Sequence, residues 1–270
     1  MSTAKHTKGH CDMIDIIMPD SAKEYDGYML MKFTTSYEYQ QDFLNGNLFF
    51  NTADFFAKCD DEGRGDSDEG NTFIVDYENP NLISANLEKV GDTYAIVVRD
   101  YSKTPEDYKR GTIWDYSSAI NRRRKIISFY TAFVNIQEQR VAPFDSRMEK
   151  EFGEYGILIL NRQEFFQRVW KAIYESKKYT QVAMGFLDYI PQDKHQGLID
   201  WNPFLKKEKF AYQNEFRATF VSDDDKPIKI ELGCSLRDIA VPIMMKDLKE
   251  IHFDNGNLLY PAYAETETEE

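Results

Sequence analysis

The sequence predicts an α+β fold, a mixed and mostly antiparallel sheet with flanking helices. Three observations carry this expectation. Stretches that alternate with period two, or run continuously apolar over strand length, outnumber the helical patterns. The strands do not recur with helices at the regular spacing of βαβ units. A chain of 270 residues that is 42% hydrophobic and 14% aromatic has ample length for one substantial core. No internal repeat and no Pro/Gly/Ser-rich linker divides it, so a single domain is expected over 25–262, between a flexible N-terminus (1–24) and an acidic tail (263–270).

GYMLMKFTT (27–35) reads as a strand, followed by a helix over 36–46 with Ser36 as N-cap and Gly46 just past its end. NLFFN (47–51) is a short strand, and Thr52 opens a second helix that runs to Cys59. TFIVDYE, LISANLEKV and TYAIVVRDY, with a turn at Gly91-Asp92, have the composition of β-hairpins. A long apolar strand spans 126–136, a short helix capped by Asp145 covers 145–153, and YGILIL (155–160) is a buried strand. NRQEFFQRVWKAIYES (161–176) is the clearest helix, because Phe165, Phe166, Val169, Trp170 and Ile173 recur at three- and four-residue steps. Further strands are expected at 180–190, 210–220, 226–233 and 248–254, with a helical turn around 236–239.

The net charge of −13 argues against a general affinity for nucleic-acid backbones, which calls for a basic surface. An acidic surface keeps a protein soluble, or else docks on something basic. The three cysteines, Cys11, Cys59 and Cys234, form no disulfide framework and point to a reducing cytoplasm. No signal-peptide core or bilayer-length apolar stretch occurs, so a soluble cytoplasmic protein without membrane contact is expected. Six carboxylates fall within residues 60–69, but a calcium loop needs glycine at the position held by Asn71, so a solvated acidic loop is expected, with Arg64 pairing internally or gripping an anion. The four histidines show no ligand spacing, and no metal site is expected.

One stretch carries the functional expectation. In FAYQNEFRATF (210–220), Gln213, Glu215, Arg217 and Thr219 fall on one side of a period of two, with Tyr212, Phe216, Ala218 and Phe220 on the other. On a strand, Gln213 and Glu215 leave the sheet on the same face about 7 Å apart. That polar face either meets water, as in any half-buried strand, or meets a substrate.

The Gln213-x-Glu215 spacing is similar to the Q/E-x-E element of mono-ADP-ribosyltransferases. The opening YMLMKFTTSYEYQQDFLNGNLFFNTADFF resembles the start of uncharacterised bacterial and phage families and of DNA-targeting ADP-ribosyltransferase toxins, and KKEKFAYQNEFRATF resembles a segment that closes those families. The resemblance implies an ADP-ribosyltransferase-like fold and NAD as cofactor. It gives Glu215 the role of catalytic carboxylate, which binds a ribose hydroxyl and stabilises positive charge as nicotinamide departs, as in glycosidic cleavage generally. Gln213 becomes the acceptor-orienting residue, Lys32 or Thr34 the first-strand NAD contact, Lys32 and Arg64 phosphate contacts, and Tyr130 or Thr131 of SFYTAF (128–133) the counterpart of a family serine. Two departures stand out: the first strand lacks the family's His or Arg, and no Ser-Thr-Ser element is present. The implied partner is a protein or nucleic-acid acceptor. The other reading is a non-catalytic acidic protein, such as a phage-encoded inhibitor or decoy, that engages a basic host protein. In the enzyme reading Glu215→Gln leaves folding nearly untouched; if Glu215 and Arg217 instead form a structural ion network, it does not.

Overall fold

A computed structural model of the chain describes residues 16–59, 65–66, 68–71, 73–74, 83–90, 93–100, 121–191, 197–198 and 201–261. Arg64, the turn at Gly91-Asp92, residues 1–15 and the acidic tail lie outside them. The strands begin with β1 (Gly27–Thr34), β2 (Asn47–Thr52), β3 (Phe73–Ile74), β4 (Ile83–Val90), β5 (Thr93–Asp100), β6 (Arg124–Asn135), β7 (Arg140–Val141), β8 (Tyr155–Ile159) and β9 (Thr180–Phe186). They continue with β10 (Asp188–Ile190), β11 (Gly197–Leu198), β12 (Leu205–Lys207), β13 (Glu215–Val221), β14 (Ile228–Glu231), β15 (Ala240–Met244), β16 (His252–Asp254) and β17 (Asn257–Leu259).

The chain is α+β. Nine strands form one sheet in which every described pairing is antiparallel, in the order β14-β2-β6-β1-β8-β15, with β13 and then β9 on the other edge of β6, and β7 folded back against its end. The expected hairpin forms from β4 and β5 in register from Ile83↔Asp100 to Val90↔Thr93. Among the described residues no helix is long and apolar enough to cross a membrane.

The helices start where the sequence provides caps. Ser36 Oγ accepts from the Tyr39 N–H (3.3 Å), Thr52 Oγ1 from the Phe55 N–H (3.0 Å) and Asn161 Oδ1 from the Glu164 N–H (3.1 Å), opening helices Tyr37–Leu44, Ala53–Lys58 and Arg162–Tyr174. Gly46 ends the first of these with φ +87°, and a Cβ there would stand 2.1 Å from the Cys234 carbonyl oxygen, so only glycine fits. Asp145 caps one step earlier than expected: its carboxylate accepts from the Arg147 N–H, and the helix itself is Arg147–Glu151.

Both faces of the sheet are covered. Helices Tyr37–Leu44 and Arg162–Tyr174 cover one face and bury Phe43, Phe165, Phe166, Val169 and Ile173 against Leu30, Phe129, Phe216 and Phe220. Phe166 and Phe216 stack with centroids 5.0 Å apart. Phe216 and Phe220 are fully enclosed, each contributing about 1.5–3 kcal/mol by removal from water. The opposite face buries Met31, Phe33, Tyr130 and Val134 beneath Met148, Met245 and Leu248.

The strand expected over 210–220 begins late. Residues Glu208–Gln213 form a 3₁₀ helix, Asn214 sits in the left-handed region (φ 39°, ψ 52°), and β13 starts at Glu215. Asn214, the one polar residue on the apolar side of the alternation, marks where the helical turn gives way to strand. Asparagine tolerates a left-handed backbone better than most residues, and here it switches the chain from helical turn to strand. Two other segments differ. Of the strand expected over 248–254, residues 248–250 belong to a 3₁₀ helix (Met245–Glu250) and only His252–Asp254 is strand. Ala240–Met244 forms an unforeseen edge strand, with Pro242 tolerated at that edge.

Asn214→Gly is expected to keep the turn, losing only the side-chain hydrogen bond to Tyr130, whereas Asn214→Ala loses that bond and also places a Cβ in left-handed backbone. Ala should therefore be less stable than Gly by about 1 kcal/mol, read from urea midpoints of the two variants. Equal midpoints would show that Asn214 does not impose the turn.

Candidate functional site

The register of β6 creates the site. Ile126 pairs with Thr219 of β13 on one edge and Asn51 of β2 on the other, while Tyr130 pairs with Glu215 of β13 and Met31 of β1. β1 and β2 therefore lie on the same edge of β6 and diverge, leaving residues 127–129 without a strand partner on that side. A cavity of about 580 Å³ opens at this split, within the roughly 300–1,000 Å³ usual for small-molecule sites. Its walls are largely aromatic, with Phe33, Phe49, Phe55, Phe129 and Tyr130 among them. Phe49 (57% exposed) and Tyr39 (62%) stand at its rim.

The polar face of β13 forms part of the cavity wall and is buried, not solvated. Glu215, Arg217 and Thr219 are 7%, 2% and 0% exposed. Arg217 carries two carboxylates: Nη1 and Nη2 reach Glu69 at 3.0 and 3.1 Å, and Nη2 also meets Glu215 Oε2 at 3.1 Å. Its Nη1 donates as well to the Pro203 carbonyl at 2.8 Å, while Nε has no partner among the described residues. Lys206 Nζ bonds Gln213 Oε1 at 2.7 Å and lies 3.5 Å from Glu215 Oε2. The Glu215 backbone N–H donates to the Tyr189 hydroxyl oxygen (2.9 Å).

These contacts set the protonation states. Burial alone would raise the Glu215 pKa, but Arg217, Lys206 and a Ser128 hydrogen bond outweigh it and hold the group below the usual glutamate value of 4.5. For Glu69, burial dominates and pushes the carboxyl up against the pull of Arg217. Arg217 is pushed up despite its burial because both carboxylates favour its charge. Burial raises Tyr130 to about 12 and raises Tyr189 as well, with the Glu215 charge adding to the latter.

Among the residues expected from the sequence, Glu215 and Gln213 do come together, but through the 3₁₀ helix and the Asn214 turn, with Lys206 as their common partner. Gln213 is 1% exposed. Lys32 lies on β1 and donates from Nζ to the Ser128 carbonyl across the split (2.9 Å), with the Phe129 ring 6.0 Å away. Thr34 ends β1 on the cavity wall, its hydroxyl donating to the Ser36 carbonyl at 3.1 Å. Tyr130 lines the cavity and packs against Phe33 and Phe144. Arg64 lies outside the described residues.

The acidic loop departs from expectation. Of its described residues, Asp66, Asp68, Glu69 and Asn71 are all buried. Glu69 reaches Arg217, Asp68 pairs with Lys207, and Asn71 accepts from Arg122 Nη2 at 2.7 Å. These described residues are pinned by cations elsewhere in the chain. Lys206, Glu69 and Ser128 are participants that sequence reasoning missed. Lys206 lies in the basic run KKEK just before the 3₁₀ helix, and that run was the one signal able to point to it.

Compared with known proteins, the chain matches no family model, no curated protein and no solved structure.

Glu215 and Arg217 do form the structural ion network, so Glu215→Gln is expected to cost about 3–5 kcal/mol, as when one partner of a buried ion pair is removed. The small folding effect expected of a catalytic strand residue does not hold, and turnover rather than stability separates the two readings. The contribution of a carboxylate with lowered pKa is complete above its unfolded value and lost as pH falls through the folded one. The stability gap between wild type and Glu215→Gln should therefore be full at neutral pH and shrink below about pH 4.5. Denaturation curves of both proteins across that range check this. A gap that widens on acidification would show that Glu215 is not held ionised.

Proposed function

We propose that the cavity binds NAD and that the protein is an ADP-ribosyltransferase-like enzyme, with Glu215 as its catalytic carboxylate. One observation carries this reading: the cavity reverses the charge of the chain. In a protein of net charge −13, four cationic side chains (Lys32, Lys206, Arg217 and Lys229) and only two carboxylates (Asp42 and Glu215) line it. The excess of cations suits a pyrophosphate, the aromatic walls suit planar rings, and the partnerless Arg217 Nε offers a further donor.

When bound, NAD supplies a labile bond between ribose C1′ and a positively charged pyridine ring, whose nitrogen takes the bonding electron pair as nicotinamide leaves. Glu215, kept ionised by Arg217 and Lys206, places negative charge where C1′ becomes cationic. Lys206, beside Glu215, would hold the anionic part of the ligand, while Lys32 borders the split from the Phe129 face. Tyr130, raised to about 12, keeps its proton at neutral pH and so acts as a neutral wall and hydrogen-bond donor. An acceptor nucleophile then bonds to C1′ and releases its proton. Thr34 and the rim residues Phe49 and Tyr39 border its route of approach. The ADP-ribosyltransferase-like fold is part of this reading and rests on the sequence resemblance.

The test measures nicotinamide release from NAD, with and without cell lysate as acceptor source, at a temperature where wild type and Glu215→Gln are both folded. Loss of one preorganised electrostatic group is expected to lower the rate by about 10²–10³, while an NAD-induced rise in melting temperature persists in the variant. Equal rates would remove Glu215 from the chemistry. Neither release nor a melting shift with millimolar NAD would overturn the proposal and favour the interaction-protein reading.

A further inference from the structure

Both ends of the Gln213 amide are engaged inside the wall. Its Oε1 accepts from Lys206 Nζ at 2.7 Å, and its Nε2 donates to the Tyr212 hydroxyl oxygen at 3.2 Å. The Tyr212 hydroxyl in turn donates to the Glu151 carboxylate. The ends of this chain fix its direction, since an ammonium only donates and a carboxylate only accepts. Between them the hydroxyl and the amide each accept one bond and donate the next. A flipped Gln213 amide would set Nε2 against Lys206, donor against donor, and Oε1 against a hydroxyl whose proton is already committed. Burial, reinforced by the bond to Glu151, raises Tyr212 to about 12, so the proton stays. The Arg147 guanidinium lies 3.7 Å over the Tyr212 ring and is itself anchored on Asp145. Lys206 belongs to the cavity wall; Tyr212 and Glu151 stand behind it.

We propose that Lys206 is the cavity cation that contacts the anionic part of the ligand, and that Gln213 is its positioning residue, locked in one amide orientation by Tyr212 and Glu151. This rests on the reading of the cavity as a nucleotide site, and it gives Gln213 a task inside the wall rather than towards an acceptor. Lys206 Nζ stands between Gln213 Oε1 and Glu215 Oε2, so its place decides both the reach of the ammonium and how far Glu215 is neutralised.

The experiment has two independent readouts on the full chain. The first is the ammonium resonance of Lys206 in protein labelled with ¹⁵N-lysine, assigned by its loss in Lys206→Met. An ammonium held by Gln213 and Glu215 exchanges slowly enough to be observed. Tyr212→Phe, which removes one oxygen, and Gln213→Leu should each shift or abolish the signal, and the double variant should do no more than Gln213→Leu alone, because both act through one chain. The second readout is binding of NAD and of inorganic pyrophosphate. Both should weaken about tenfold in Lys206→Met, the size expected for losing a charge-assisted bond, and less in Tyr212→Phe. If Gln213→Leu does not fold, Tyr212→Phe decides alone. An absent wild-type signal, or one unchanged in Tyr212→Phe, overturns the positioning role. Unchanged binding in Lys206→Met overturns the ligand contact. Wild type that binds neither probe overturns the nucleotide reading and the ligand contact with it, while the resonance still decides the positioning role.

Discussion

The structure turns on a guanidinium taken out of water. Arg217 is 2% exposed in the middle of a sheet strand and tolerable there only because Glu69 and Glu215 bracket it, with Lys206 balancing the second carboxylate. Burying an unpaired charge of this kind costs several kcal/mol, so the loop that carries Glu69, the strand that carries Glu215 and the segment that carries Lys206 are obliged to meet. Lys207 and Asp68, the sequence neighbours of Lys206 and Glu69, form a second pair between the same two segments. Apolar packing builds the sheet, but this network decides how a loop 148 residues away in sequence and the nearby Lys206 segment close against it.

The same network separates two carboxylates that would otherwise behave alike. Glu215, served by two cations and a serine hydroxyl, is held ionised; Glu69, sharing the guanidinium but more dominated by burial, is pushed the other way. Divergent environments for neighbouring titratable groups in a cleft mark functional sites more often than structural ones, although ion networks alone also produce them. The cavity beside them, lined with aromatic rings and an excess of cations, is what supports the proposed ligand site.

Much of the frame was legible in the residues. The helix Arg162–Tyr174 announced itself because Phe165, Phe166, Val169 and Ile173 share one face and Asn161 caps it, and β1 and β8 because apolar runs of strand length stop at polar or glycine residues. The site was half legible. Glu215 and Gln213 were singled out for a spacing that holds on a strand, yet Gln213 is not on the strand; the pair meets through a left-handed asparagine, a local event that no period-two count detects. The burial of Glu69 was illegible for another reason. Its partner Arg217 lies 148 residues away, and a run of carboxylates reads as solvated until the matching cations are known to fold over it. β15 escaped notice because five residues containing a proline resemble a loop unless their place at a sheet edge is known.

The split in the sheet divides labour between one strand and its two neighbours. β6 runs through the cavity as one continuous twelve-residue strand paired with β13 along its other edge, whereas the two sides of the split belong to β1 and β2, which touch β6 only at its opposite ends. Changes in the length or side chains of either side can widen, narrow or re-line the hollow without disturbing the register that fixes Glu215 opposite Tyr130. On the proposed reading, selection for a different ligand could act on β1 and β2 separately while the residues around Glu215 stay in place, so that specificity drifts more easily than mechanism.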